Sequence, residues 1–394
     1  MAIPRTKRTF SSPIVESRRW LQGVSFPADR PLLNLSQAAP ADPPPEALRN
    51  VIAEAVLTDD SAHLYGAVLG RHELREALAE QVSAHYAAQI TADQVAITSG
   101  CNQAFTATIA CLCDEGDEVI LPTPWYFNHK MALDLAGVTS VPLPVGDGML
   151  PDADMAAQLM TEKTRAIVLV TPNNPCGVEY PDTLLEAFMR LAHDHGVALI
   201  VDETYRDFDQ RTGIPHKLFQ VDVWESTLVH LYSFSKSYRL TGHRVGAIIA
   251  GRAKLFEIEK FLDTHTICPN QIGQIAATWG IANLQGWLAQ ERQEVLDRRA
   301  AIEAGFAVLQ DQGWRLLGCG AYFAYVEHPF DTPSIDLAQQ MIHDCGILML
   351  PGSMFTPEND PSGERQFRIA FANVDADGIA EMYRRLADWH PNRR

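Results

Sequence analysis

Short apolar runs alternate with helical patterns in the middle of the chain, from Val95 to about Gly251. The candidate strands begin at Val95, Glu118, Arg165, Val197, Thr227 and Val245. The runs are apolar at consecutive positions, which is typical of strands that helices cover on both faces. The stretches between them, such as residues 181–195, have helical spacing. The pattern therefore predicts a large α/β domain.

The pattern changes after Ala253. Residues 286–312 are rich in Glu, Arg and Ala and predict one long helix. Strand candidates follow around residues 322–326, 347–350 and 367–372, interleaved with helical patterns near 334–345 and 375–389. A mixed order of strands and helices without strict alternation predicts a smaller α+β domain.

Composition and charge limit the kinds of partner. The chain has 394 residues, of which 46% are hydrophobic and 21% charged, which is typical of a soluble globular protein with two domains. A net charge of -17 disfavours nonspecific binding to nucleic acid or to an anionic membrane surface. No run has the apolar character of a signal peptide or a membrane span. We therefore expect a cytoplasmic protein with no nucleic-acid or membrane partner, although the basic start leaves a transit peptide open.

The cysteines and histidines argue against a metal site or a disulfide framework. The seven cysteines are an odd number without a repeated Cys-x-x-Cys spacing. The histidines show no His-Glu-x-x-His spacing. We therefore expect no metal ion, and free thiols suit a reducing compartment.

The residues with the clearest chemistry follow the candidate strands closely. Lys236 lies in Ser233-Phe-Ser-Lys, eight positions before Arg244 in a turn that contains glycine. Asn174 lies in Asn-Pro-Cys-Gly, and Asp202 opens Asp-Glu-Thr-Tyr205. Ligands of such sheets gather at the carboxyl ends of the strands. An amine, an amide, a carboxylate and a phenol are thus expected to meet there.

These segments carry a resemblance to a known family. Ser-x-Ser-Lys-x-x-x-x-x-Gly-x-Arg, preceded by Asn-Pro-x-Gly and Asp-Glu-x-Tyr, resembles the fold-type I pyridoxal-phosphate enzymes, specifically the class I/II aminotransferases. The likeness runs from about Leu35 to Arg368. It implies pyridoxal 5'-phosphate as cofactor and a large domain with a mostly parallel seven-stranded sheet beside a smaller α+β domain. With the Pro-rich stretch 40–45 as the crossing, we place the large domain at 46–285 and the small domain at 1–45 plus 286–394.

The resemblance gives Lys236 and Asp202 the central roles. Lys236 would form the Schiff base with the cofactor aldehyde and then act as the base that moves the substrate's α-proton. Asp202, at the end of a buried strand, would pair with the pyridinium N–H and keep the ring protonated. Asn174 and Tyr205 would donate hydrogen bonds to the phenolate oxygen.

Other cofactor contacts also follow from the family pattern. Tyr126 matches the aromatic residue that stacks on the ring, although adjacent Trp125 leaves the register open by one. A strand-to-helix turn can bind phosphate through its backbone N–H groups. The phosphate contacts are expected from Gly100, Cys101, Asn102, Ser233, Ser235 and Arg244. Many members have serine in place of Cys101. Tyr65 resembles a tyrosine that reaches the phosphate of the other subunit, which implies a homodimer with a shared active site.

The substrates implied are an amino acid and a 2-oxo acid. Arg368 is expected to bind the α-carboxylate through its guanidinium fork, with Asn174 beside it and Ala38 where a glycine is frequent. Arg365 is its rival. No arginine occurs between Ala253 and Glu291, where dicarboxylate-selective relatives place one, so we disfavour aspartate and expect a neutral or aromatic donor. Glutamate remains open, with a residue such as His265 meeting its distal group.

The sequence argues against two other enzyme classes and leaves a third open. Ser233-Phe-Ser-Lys also fits the Ser-x-x-Lys motif of serine acylases, but their Ser-Asp-Asn and Lys-Thr-Gly partners do not occur. A nicotinamide enzyme would need Gly-x-Gly-x-x-Gly after a strand, and none opens such a turn. A carbon-sulfur β-lyase or related lyase uses the same site and stays open as the alternative. The prediction is an aminotransferase.

Overall fold

The structure is a computed structural model that describes residues 4–391. The strands are β1 (Leu33–Asn34), β2 (Val95–Thr98), β3 (Glu118–Thr123), β4 (Thr139–Pro144), β5 (Thr164–Val170), β6 (Ala198–Asp202), β7 (Leu228–Ser233), β8 (Gly246–Ala250), β9 (Arg315–Gly320), β10 (Phe323–Glu327), β11 (Ile347–Leu348), β12 (Leu350–Pro351) and β13 (Gln366–Ala370). The helices are α1 (Pro13–Trp20), α2 (Glu46–Thr58), α3 (His72–Tyr86), α4 (Cys101–Leu112), α5 (Phe127–Ala136), α6 (Ala153–Leu159), α7 (Asp182–Asp194), α8 (Trp224–Thr227), α9 (Phe234–Ser237), α10 (Arg252–Thr266), α11 (Gln271–Asn283), α12 (Gln285–Gly305), α13 (Ala307–Gln310), α14 (Ser334–Cys345) and α15 (Ala376–Ala387).

The middle of the chain forms one seven-stranded sheet. Its strand order is β2-β8-β7-β6-β5-β3-β4. Strand β8 runs antiparallel to β2 and β7, and the other neighbouring pairs are parallel. The predicted α/β class with a mostly parallel seven-stranded sheet is confirmed.

Both faces of this sheet are buried, which explains the consecutive apolar residues of its strands. In β5, Ile167 and Leu169 belong to a core that includes residues of α3, α7 and α11. Ala166 and Val168 belong to the core on the other face, with residues of α4, α5 and α10. Successive side chains of a strand point to opposite faces. A strand covered on both sides therefore needs an apolar residue at every position.

Strands β1, β4 and β9 were absent from the sequence-based prediction, and all three are less buried than the central strands. Strand β4 lies at the edge of the large sheet, where Leu143 is its buried residue. Strand β9 is the edge strand of the second sheet, and it is exposed or half-buried over most of its length. An edge strand has a neighbour on one side only, so neither segment needs the continuous apolar run that indicated the central strands.

The C-terminal part of the chain forms a second sheet with its own core. This sheet is antiparallel, with the order β12-β13-β10-β9. Its core includes residues of α12, α14 and α15, together with Leu35 from the N-terminal segment. That segment also pairs in parallel with β11, where Leu33 lies opposite Ile347. The predicted long helix is present as α12 and is followed by the short α13.

None of the helices within residues 4–391 combines the length and the apolar character that crossing a membrane requires.

The polar residues of interest meet where the parallel strands end. Asp202 is the last residue of β6, Ser233 is the last residue of β7, and Asn174 follows β5. The second sheet reaches the same place through β13, whose Arg368 donates from Nη1 to the Asn174 Oδ1 at 3.0 Å. The two sheets therefore border one cleft.

Candidate active site

A cavity of about 350 Å³ occupies this cleft. The predicted site residues that line it are Ala38, Cys101, Asn102, Tyr126, Asn174, Asp202, Tyr205, Ser233, Ser235, Lys236, Arg244 and Arg368. Residues far apart in the sequence are thus brought together at the carboxyl ends of the strands, as the sequence predicted. The wall of the cavity also includes residues that the sequence analysis did not single out, among them Arg18, Gln37 and Thr204.

Lys236 lies in the short helix α9, directly after β7. Ser233 caps this helix by accepting a hydrogen bond from the Ser235 N–H at 3.2 Å. The Lys236 Nζ donates to the Ala38 carbonyl at 2.5 Å and lies 5.9 Å from the centre of the Tyr205 ring. Burial lowers the pKa of Lys236 to about 8, and the charges of Arg244 and Arg368 act in the same direction. Part of the amine is therefore unprotonated near neutral pH, as a nucleophile or base requires.

Asp202 is buried and held by partners that favour its charged form. Its Oδ2 lies 3.1 Å from the His129 Nε2, and its Oδ1 accepts from the Thr204 backbone N–H and hydroxyl at 3.0 and 2.7 Å. Burial opposes ionisation, but the hydrogen bond and charge of His129 and the contacts with Thr204 bring the pKa of Asp202 below its ordinary value. The carboxylate is therefore ionised.

His129 is a site residue that the sequence analysis missed. It lies in the first turn of α5, three positions after Tyr126, where it contacts Asp202 and stacks its ring on Phe105 with 4.0 Å between ring centres. A histidine directly after the aromatic motif was the available signal. Its partner Asp202 is distant in sequence, so only the fold brings the two together.

The cleft has one end suited to phosphate. Gly100 precedes α4 with φ +85°, and a Cβ atom there would collide with the Arg244 guanidinium. The first N–H groups of a helix lack acceptors within it, and Cys101 and Asn102 begin α4 at the cavity wall. Arg244 Nη1 lies 3.5 Å from the Ser235 Oγ. The structure therefore brings N–H donors, hydroxyls and a guanidinium together at this end.

Arg368 is buried at the other side of the cleft. Its Nη1 contacts Asn174, its Nη2 contacts the Ser36 carbonyl, and its Nε has no hydrogen-bond partner within residues 4–391. The guanidinium lies 5.0 and 4.9 Å from the ring centres of Phe323 and Phe355. Burial lowers the pKa of Arg368 to about 10. A buried cation is costly unless an anion compensates it, so this group is suited to bind a carboxylate.

The two aromatic candidates for ring stacking differ in position. Tyr126 lines the cavity, and its hydroxyl accepts a hydrogen bond from the Asn128 amide at 2.8 Å. Burial raises the pKa of Tyr126 to about 12, so the phenol is neutral. Trp125 packs instead into the core with α4 and α10. This geometry supports the preference for Tyr126.

Several residues from the sequence analysis lie outside the cavity wall. Tyr65 is 80% exposed on the surface. Gly100 does not line the cavity but lies directly beside the Arg244 guanidinium, which does. His265 bonds the Phe261 carbonyl and borders a separate cleft. Arg365, the rival of Arg368, contacts the His328 carbonyl at 3.3 Å. Within one chain, neither His265 nor Arg365 reaches the substrate side of the cleft.

The donor set of the cavity fits pyridoxal phosphate. Its wall carries four cationic side chains, Arg18, Lys236, Arg244 and Arg368, and a single carboxylate, Asp202. That carboxylate is already engaged by His129. The excess positive charge suits a phosphate and a substrate carboxylate, the desolvated amine suits an aldehyde, and Asp202 suits a pyridinium.

Comparison with known proteins supports this assignment. Residues 30–386 match the family model described as aminotransferase class I and II. Similar proteins include an aromatic aminotransferase (ISS1) of Arabidopsis thaliana, 30% identical with 79% of this chain and 78% of that protein covered. A valine–pyruvate aminotransferase of Mycobacterium tuberculosis is 28% identical, with 92% of each covered. The solved structure of the Thermus thermophilus aspartate aminotransferase with maleate superposes with a TM-score of 0.86 at 23% identity, covering 98% of this chain and 99% of that one. With its sheet, its cleft and the family match over most of its length in agreement, the chain belongs to the class I and II aminotransferases, which depend on pyridoxal phosphate.

Proposed function

We propose that the cleft centred on Lys236 is the active site of this amino-acid aminotransferase, with Arg368 as the group that binds the substrate α-carboxylate. The observation that carries the proposal is the buried Arg368 guanidinium, whose Nε lacks a partner within residues 4–391. It shares one cavity with Lys236, whose amine is partly unprotonated near neutral pH. If Arg368 binds the substrate α-carboxylate, the substrate amino group and α-carbon would face Lys236 across the cavity.

The remaining roles follow from position in the cleft. Lys236 would hold the cofactor covalently and, once released, its amine would take the proton from the substrate α-carbon. The bound cofactor supplies an electron-withdrawing ring that stabilises the resulting negative charge. Asp202, kept ionised by His129, would hold the proton on the ring nitrogen. Tyr126 would pack on the ring face, and Asn174 and Tyr205 would donate hydrogen bonds to the phenolate oxygen.

The phosphate end has its own set of donors. We assign the phosphate to the Arg244 guanidinium and the hydroxyls of Ser233 and Ser235, which line the same cavity. The N-terminal turn of α4, with Gly100, Cys101 and Asn102, adds backbone N–H groups. Cys101 serves through its backbone, which a change from serine does not alter. Ala38 limits the space on the carboxylate side, and its carbonyl positions the Lys236 amine.

A homodimer with shared active sites is the proposed assembly. Leu57, Leu64, Tyr65 and Ile267 are all large apolar residues with high exposure, at 83%, 65%, 80% and 45%. The Gly66 N–H donates to the Cys268 Sγ at 3.4 Å, so the segment after Tyr65 lies beside the segment after Ile267. Apolar patches of this kind mark interaction sites. A second copy would cover the patch and allow its Tyr65 to reach the phosphate.

The separate cores of the two sheets support the division into a large domain at 46–285 and a small domain at 1–45 plus 286–394. Leu35 and the residues of α12, α14 and α15 share one core, separate from those of the seven-stranded sheet. The first three and last three positions of the proposed small domain lie outside the described residues. We also place the protein in the cytoplasm, where its seven free cysteines would stay reduced.

Transamination, rather than β-elimination, is the reaction. The similar proteins named above are aminotransferases with aromatic, valine and aspartate substrates. No feature of the cleft favours the carbon-sulfur lyase. We propose an amino-acid donor with a neutral or aromatic side chain and a 2-oxo acid acceptor.

A spectral titration tests the proposal directly. Amino acids are added one at a time to the holoenzyme, and the absorbance of the bound cofactor is followed for conversion to the pyridoxamine form. Lys236→Ala should bind the cofactor without the absorbance of the covalent link, and turnover should fall by about 10²- to 10⁴-fold or more. Lys163→Ala, on the exposed surface, is the control and should match the wild type. Full turnover in Lys236→Ala would refute the assignment.

A further inference from the structure

The outer wall of the cavity is formed by residues with no part in holding the cofactor. Helix α1 contributes Ile14, Val15 and Arg18, and the segment after β1 contributes Gln37. Under the proposed function, the cofactor and the α-carboxylate occupy the inner part of the cleft. The outer wall is then the surface that a substrate side chain meets.

Gln37 has a defined place in this wall. The carbonyl of Ser36 accepts from the Arg368 Nη2, and the carbonyl of Ala38 accepts from the Lys236 Nζ. The backbone at residue 37 therefore runs between the proposed carboxylate-binding group and the proposed base. Because Gln37 also lines the cavity, a substrate placed between Arg368 and Lys236 would lie beside it.

Arg18 extends this polar wall toward the mouth of the cavity. Its Nη2 donates to the Gln37 Oε1 at 2.7 Å. A guanidinium has five N–H groups, and within residues 4–391 no carboxylate pairs with Arg18. The neighbouring Arg19 differs, because its Nη1 forms an ion pair with Glu16 at 2.9 Å and it does not line the cavity. Arg18 is thus a positioned cation with free donors at the substrate side of the cleft.

We propose that Arg18, oriented by Gln37, binds the distal carboxylate of a dicarboxylic substrate such as glutamate or its 2-oxo acid. This inference rests on the proposed function, because it takes Arg368 as the partner of the α-carboxylate. The two guanidinium groups then bind the two ends of one diacid. The assignment gives this chain a cation for an acidic side chain although residues 254–290 contain no arginine. It is compatible with a neutral donor that shares the acceptor 2-oxoglutarate.

Binding of simple acids to the holoenzyme tests this directly. Glutarate has two carboxylates, whereas pentanoate has the same five-carbon chain and only one. The ratio of their dissociation constants, measured by calorimetry or by the cofactor absorbance, reports the second contact. For an exposed charge with fork geometry, we expect the wild type to prefer glutarate by about 10-fold. Arg18→Met should reduce the preference to near unity, and added salt should weaken it in the wild type.

Arg19→Met is the matched control, since it removes the neighbouring exposed arginine of α1, which does not line the cavity. It should keep the wild-type preference for glutarate. If Arg18→Met also keeps it, the assignment of Arg18 is wrong. If the wild type converts no amino acid to product and binds neither acid at the cofactor site, the proposed function itself is wrong. The two failures are therefore distinguishable.

Discussion

Asp202 shows how a buried carboxylate can stay charged. Its burial alone would favour the neutral acid, yet His129 and Thr204 supply enough hydrogen bonding and charge to lower its pKa. Because the sequence places Asp202 at the end of a buried strand, the need for partners could be foreseen. The identity of His129 could not, because that contact depends on how the fold brings the first turn of α5 to the end of β6.

Replacing His129 should therefore weaken the binding of the cofactor. His129→Leu removes the donor to Asp202, and a hydrogen bond to a charged group is worth about 1.5–3 kcal/mol. We expect about a 10- to 100-fold larger dissociation constant for pyridoxal phosphate. Without His129, the effect of burial raises the pKa of Asp202, so its carboxylate becomes protonated at a higher pH than in the wild type. The loss of cofactor affinity should therefore grow as the pH falls. Fluorescence or absorbance titration of the apoprotein between pH 5 and pH 8 measures this.

His129→Gln is the conservative comparison, because its amide can still donate to the carboxylate. It should retain more affinity than His129→Leu and show a smaller dependence on pH. Equal affinities for the two variants at every pH would contradict the role of His129 as the hydrogen-bond donor to Asp202.

At the scale of elements, the site is built from strand ends and the turns that follow them. The apolar runs predicted the central strands because both faces of the large sheet are covered, while the edge strands β4 and β9 gave no comparable signal. The residues in recognisable motifs, such as Lys236 and Asp202, could be placed from sequence. Arg18 could not, because its position beside Gln37 depends on the docking of α1 against the cleft.

The turn before α4 allows a sharp test of close packing. Gly100 has a positive φ, and a Cβ there would displace the Arg244 guanidinium. Gly116 has a similar φ of +94°, but a Cβ atom there would have no atom near it.

Gly100→Ala and Gly116→Ala should each cost about 1 kcal/mol of stability from backbone strain. Only Gly100→Ala should also weaken cofactor binding, by about 10-fold, because the displaced Arg244 guanidinium would lose its contact with the phosphate. Thermal unfolding and cofactor titration separate the two effects, and equal cofactor affinity in both variants would argue against Arg244 as the phosphate ligand.

For the whole molecule, the exposed apolar patch around Leu64 and Tyr65 is the feature that a second copy would cover. Its members come from segments well separated in the sequence, so the patch was not visible before the fold was known. The sequence predicted the dimer through Tyr65 alone. The patch supports that prediction with an independent physical reason, since large apolar areas are rarely left in water.

Charging this patch should separate the subunits. Leu64→Arg would place a cation in the proposed interface, which carries a desolvation cost of several kcal/mol. We expect sedimentation at micromolar concentration to shift from the dimer toward the monomer, with loss of activity. Val308→Arg, at an exposed apolar residue of α13, should remain dimeric and active. A fully active Leu64→Arg monomer would exclude a shared active site.

The N-terminal segment contributes both to a strand pair and to the wall of the cleft. Leu33 and Asn34 form a strand pair with Ile347 and Leu348, and a few positions later the chain passes Lys236 and Arg368. A protein shortened to begin after Pro40 would lose Leu35 from the core of the second sheet and, with Gln37 and Ala38, one side of the cleft. Engineering of this enzyme should therefore avoid truncating this segment and should change it only by single substitutions.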